Sequence, residues 1–104
     1  MLVYNILRTE KYYQDGRLIR AGSKILSCYV SRKSAFGEIE FFNEERAPLL
    51  IDEMQMKNWE YVGIAEPKYM YNPFHRRYEF EGKGDEEGTT LIVKVEIESV
   101  KLRI

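Results

Sequence analysis

The chain has 104 residues, 44% hydrophobic and 32% charged, with one cysteine, one histidine and three prolines. That length suits one α+β domain over 1–104 that needs neither disulfides nor metals, and Cys28 alone cannot form an internal bridge. A formal charge of −1 argues against a strongly basic nucleic-acid coat, no run of ~18 apolar residues offers a membrane span, and Met1-Leu2-Val3-Tyr4-Asn5 lacks signal-peptide features, so a soluble, cytoplasmic domain is expected.

Leu2 to Tyr13 is rich in β-favouring residues, and Gln14-Asp15-Gly16-Arg17 carries the Asp-Gly pair that a type I′ turn needs for positive φ. A long hairpin therefore opens the chain. It returns through Leu18-Ile19-Arg20, and Ala21-Gly22-Ser23 predicts a bend or bulge, because glycine inside a strand pattern usually marks one. Lys24 to Arg32 alternates as a half-buried strand, with Cys28 expected as a buried, inert thiol. Ser34-Ala35-Phe36-Gly37 reads as a turn and Glu38-Ile39-Glu40-Phe41 as another alternating strand. One helix follows: Ala47, Leu50, Ile51 and Met54 fall on one face, and Pro48 suits a first turn. Glu44, Glu45, Asp52 and Glu53 favour its N-terminal half, Lys57 its last turn, and Asn58 a left-handed end. Met56 and Trp59 are expected to close the seam between helix and sheet.

Three strands complete the chain, over 59–64, 76–81 and 89–104. An aromatic loop with Asn72-Pro73 and a glycine-rich exposed loop over 82–88 separate them. The apolar phase changes between Ile97 and Val100, which predicts a bulge or break near Glu98-Ser99. A last strand of 16 residues would run ~53 Å at ~3.3 Å each and is expected to bend. Opposite charges favour pairing Glu79 with Lys94 and Arg77 with Glu96, which sets Tyr78 against Val95 and Phe80 against Val93. The predicted architecture is α+β: about six mostly antiparallel strands, as a strongly bent sheet or partly closed OB-like barrel, with one helix packed on it.

The reactive inventory is thin. His75 as a general base would need a partner such as Glu98, whereas a turn histidine beside Arg76 and Arg77 is the plainer expectation. No His/Cys set has zinc-ligand spacing and no G-x-S-x-G occurs. Gly82-Lys83-Gly84 leads into acids and a strand, so it is no phosphate loop. Glu38/Glu40, Glu79/Glu81 and Glu96/Glu98 would each share a strand face, as acid–base chemistry or a divalent cation requires, and as any solvated sheet surface displays. No catalytic residue, metal or cofactor is assigned.

Charge is uneven: residues 1–36 carry net +5, residues 37–67 net −6, and the remainder balances. Basic and aromatic residues interleave twice, as Arg8, Lys11, Tyr12, Tyr13 and Arg17, and as Lys68, Tyr69, Tyr71, Phe74, Arg76 and Arg77. Arg32 and Lys33 extend the basic third. Tyrosine and arginine anchor protein interfaces, and the same residues in a cationic groove stack the bases of a single strand. The first expectation is a non-enzymatic binding module acting by protein contact, with a protein partner or a second copy joined through sheet edges to form a homodimer. Single-stranded nucleic-acid binding is the alternative, and a small enzyme using His75 and carboxylates is the third class.

Overall fold

Asp15 and Gly16, at φ 52° and 77°, form the two-residue turn that their sequence predicts. The turn joins β1 (Leu2–Gln14) to β2 (Arg17–Tyr29), with Gln14 opposite Arg17. The computed structural model describes residues 1–64 and 76–103. Expectations for Glu66-Pro67, for the aromatic loop with Tyr69, Tyr71 and Phe74, for His75 and for Ile104 lie outside the described residues. Later strands are β3 (Trp59–Ile64), β4 (Arg77–Gly82) and β5 (Thr89–Lys101). All neighbours are antiparallel, in the order β2-β1-β5-β4-β3.

Among the described residues the sheet has five strands and is open, which corrects the expectation of about six strands and of an OB-like barrel. A barrel hides one sheet face inside itself; here a helical rod of 25 residues covers that face instead. The missing strand is Glu38–Phe41. Residues 34–41, expected as turn and strand, belong to α1 (Arg32–Phe41). Ser31 caps it, its Oγ accepting the Ser34 N–H at 3.3 Å, and Ala35 and Ile39 are buried on the helical i, i+4 spacing. Glu38 and Glu40 therefore share no strand face.

Between α1 and α2 (Ala47–Met56) lies a π-helical segment, Phe42–Arg46. Ala35, Ile39 and Phe42 form one stripe and Ala47, Leu50 and Met54 another, with one residue too many between them. An extra residue would turn α2 by about 100° at 3.6 residues per turn; the wider π turn absorbs it and keeps both stripes on the sheet. Pro48 sits just beyond, in the first turn of α2 as its sequence predicts. It has no N–H for the Asn43 carbonyl five residues back. That oxygen instead accepts from Arg76 Nη1 at 3.0 Å and from the Tyr78 hydroxyl at 3.3 Å. Tyr78 also donates to Asn43 Oδ1 at 3.1 Å, so an almost fully buried Asn43 ties the rod to β4.

The core has two clusters under the rod. One joins Ala47, Leu50 and Met54 to Trp59, Tyr78, Phe80, Leu91 and Val93; the other joins Ala35 and Ile39 to Ile6 and Val95; Phe42 packs on both. Trp59 closes the seam as expected, whereas Met56 is 86% exposed. Asn58 ends α2 at φ 65°.

Three register expectations change. The bulges of β2 lie at Ile19 and Leu26, where its pairing with β1 shifts, and Ala21-Gly22-Ser23 pairs regularly with Lys11, Glu10 and Thr9. No bulge interrupts β5 near Glu98-Ser99: the β1–β5 ladder is continuous from Leu2↔Lys101 to Gln14↔Thr89. The molecule is 48 Å long, so a 13-residue strand fits along it. Finally, Arg77 lies opposite Lys94, with Tyr78 against Val93 and Phe80 against Leu91, two residues from the charge-based register. A two-residue slip leaves every side chain on its face, so burial cannot choose between the registers. The connecting loop decides: Gly84–Glu86 forms a 3₁₀ turn closed by Glu86 N–H to Lys83 O and Glu87 N–H to Gly84 O, using residues that the other register would pair. A Cβ on Gly82 would overlap the Glu86 carbonyl. Lys94 takes its ion pair from Glu96 on its own strand, at 3.4 Å.

Candidate functional site at the β2 edge

The first strand's alternation sends Arg8, Glu10 and Tyr12 to the helix side and Lys11 and Tyr13 to the open side. Arg8, half-buried, donates from Nη2 to Glu10 at 3.0 Å and from Nη1 to Glu53 of α2 at 3.2 Å; Lys57 reaches the other Glu53 oxygen at 3.2 Å. Burial pushes the Glu53 carboxyl up, but the Arg8 and Lys57 hydrogen bonds and charges outweigh it and hold the group below its ordinary value. Tyr12 packs on Trp59 with ring centres 5.8 Å apart, donates to Glu10 at 2.9 Å, and lies 4.0 Å beneath the Arg20 guanidinium. Burial, then the bond to Glu10, pushes its phenol up.

Beside this network runs a groove of about 350 Å³, lined by Arg8, Glu10, Glu53 and Lys57 on one side and by Gly22, Ser23, Lys24 and Leu26 of β2 on the other. It exists because the rod lies over β1, β5 and β4 and leaves the inner side of β2 uncovered from Arg17 to Leu26, and because Gly22, opposite Glu10, contributes no side chain. Residues 17–26 are exposed without interruption, including Leu18, Ile19, Ile25 and Leu26. Cys28, expected to be buried, is exposed on the same strand.

The candidate binding residues do not form one patch. Arg8 and Tyr12 line the helix side, Lys11 and Tyr13 the open side, and Arg17 the hairpin tip. Arg32 and Lys33 open α1, with Arg32 5.2 Å over Phe36 beside a separate cavity of about 460 Å³. Arg76 is spent on the Asn43 carbonyl, and Arg77 is exposed on the open side among Lys94 and Glu79. Arg20, Gly22, Lys24 and Ile25 belong to this edge and were not among the expected binding residues. One signal was available: Arg17, Arg20, Lys24, Arg32 and Lys33 occur between Gly16 and Gly37 with no acid among them. The strand that carries these bases is an outer edge of the sheet.

Among the described residues no cluster of three His, Cys, Asp or Glu side chains could hold a metal ion. No described helix is long and apolar enough to cross a membrane. In comparisons with family models, curated proteins and solved structures the chain matches none.

Proposed function

We propose that this chain is a non-enzymatic binding module that acts through protein contact, with β2 as its contact element. The observation that carries it is the edge strand itself: 13 residues long, and exposed and uncovered by the rod over 17–26. Sheet edges offer unpaired N–H and C=O groups, and long uncovered ones are where another chain pairs. Exposed Leu18, Ile19, Ile25 and Leu26 add apolar area beside Arg17, Arg20 and Lys24, a mixture that suits a protein surface.

Single-stranded nucleic acid is less well served. Base stacking needs free rings within a cationic groove. Tyr12 is sandwiched between Trp59 and Arg20, and Tyr29 donates to Glu38 at 3.2 Å. The open face carries Glu79, Glu81, Glu96 and Glu98 near Lys11, Arg77 and Lys94, which disfavours phosphate.

Capture from host lysate on the immobilised protein, with and without nuclease, followed by titration of the purified pair, tests this function. A captured protein that survives nuclease and rebinds as a purified partner is expected. Retention that disappears with nuclease, or no rebinding, overturns it.

A further inference from the structure

We infer that Arg20–Ile25 of β2 binds an extended peptide alternating acidic and apolar residues, adding it to the sheet as a further strand. The inference rests on the protein-contact function above and names its surface and ligand. The bulges at Ile19 and Leu26 bound this run, and between them pairing with β1 is unbroken, from Arg20↔Tyr12 to Ile25↔Leu7. A regular stretch of strand is what an added strand needs.

Alternation sorts the run by face. Arg20 and Lys24 lie on the helix side, flanking Gly22 and the groove it opens. Ala21, Ser23 and Ile25 lie on the open side, where Ile25 is 59% exposed beside Leu7. A paired peptide strand thus sets every second side chain opposite Arg20, Gly22 or Lys24 and the others opposite small or apolar neighbours. Arg20 already pairs with Glu86 at 3.2 Å, and the groove behind Gly22 holds Arg8 and Lys57 as well as Glu10 and Glu53. Acids on the first set and β-branched apolar residues on the second complement both faces.

A second copy of the chain fits badly. Antiparallel self-pairing centred on Gly22 sets Arg20 against Lys24 of the other copy, and no register of β2 against itself meets an acid. Basic residues on an edge strand guard against self-pairing while leaving it open to an acidic partner.

The test is fluorescence anisotropy with a labelled peptide of about eight residues alternating Glu and Val, titrated with the full chain. Binding is expected, weakened roughly 10-fold by Lys24→Glu at an exposed position and weakened by added salt. The same peptide with alternate backbone amides N-methylated keeps its charge and loses strand pairing, so it should not bind. A Lys/Val counterpart should not bind either. Equal binding of the methylated or the Lys/Val peptide overturns the inference, as does tighter binding of a single-stranded oligonucleotide. If the Glu/Val peptide fails while a nuclease-resistant protein partner still rebinds, the inference falls and the protein-contact function stands.

Discussion

Asn43 is the residue on which the helical rod depends, because at the π turn that aligns both apolar stripes its carbonyl accepts from Arg76 and Tyr78. Tyr78→Phe removes the hydroxyl that donates to both Asn43 oxygens and keeps the ring in the core. That hydroxyl has one proton, shared between the two oxygens, so one buried hydrogen bond at ~0.5–1.5 kcal/mol sets an expected loss of about 1 kcal/mol. Urea unfolding should show a lower midpoint at unchanged slope; an unchanged midpoint would mean that the hydroxyl contributes nothing. Glu53 gives a pH-dependent counterpart. Its folded carboxyl titrates below the ordinary 4.5, so the unfolded chain takes up the proton first. Its contribution is complete above 4.5 and fades as pH falls through the lowered folded value. The stability difference between wild type and Glu53→Gln should accordingly shrink in acid and persist at neutral pH. A constant difference would place the effect of Glu53 outside its charge. Neither Asn43 nor Glu53 stood out beforehand, since a buried asparagine and an ion-paired glutamate are defined by elements distant in sequence.

At the scale of elements, legibility followed the reach of the interaction. The Asp15-Gly16 turn, the α2 stripe with Pro48 and Asn58, and β3 and β4 to within a residue or two are set by neighbours within a few positions. α1 was hidden because Glu38-Ile39-Glu40-Phe41 satisfies a period of two as well as a helical one, and the π insertion breaks the longer stripe that would have resolved it. The β4–β5 register was hidden because exposed opposite charges are weak against a loop that closes its own 3₁₀ turn. The insertion supports a direct test. Deleting exposed Glu45 converts the π turn to α geometry and leaves Ala35, Ile39, Phe42, Ala47, Leu50 and Met54 on one stripe. Inserting an alanine after exposed Glu40 instead adds a second surplus residue, rotates the following residues by about 100° and turns Ala47, Leu50 and Met54 off the sheet. The Glu45 deletion is expected to unfold cooperatively with modest loss, and the insertion to lose its cooperative transition. Equal damage from both would mean that the π turn does not set the phase.

Across the whole molecule, the charge asymmetry was legible as a number but not as a place. Part of the basic third is neutralised, Arg8 by Glu10 and Glu53 and Arg20 by Glu86. The rest lies on the open side of β1 as Lys11, along β2 as Arg17 and Lys24, and at the start of α1 as Arg32 and Lys33; β2 is an edge of the open sheet, and an edge is a property of strand order that no local pattern reports. That placement bears on the homodimer expected from unpaired edges. The edge is long enough to pair with itself, and its own side chains oppose this: β2 of every copy brings Arg17, Arg20 and Lys24 and carries no acid, although Glu86 offsets Arg20. If repulsion is what keeps copies apart, replacing Arg20 and Lys24 by threonine, which favours strands and carries no charge, should permit edge-to-edge pairing. Sedimentation of the wild type should show a monomer over a wide concentration range. The double variant, its fold checked by circular dichroism, should associate as concentration rises, and restoring Lys24 alone should reverse much of that association. A wild type that already sediments as a dimer, or a double variant that stays monomeric, would show that these charges do not govern the edge.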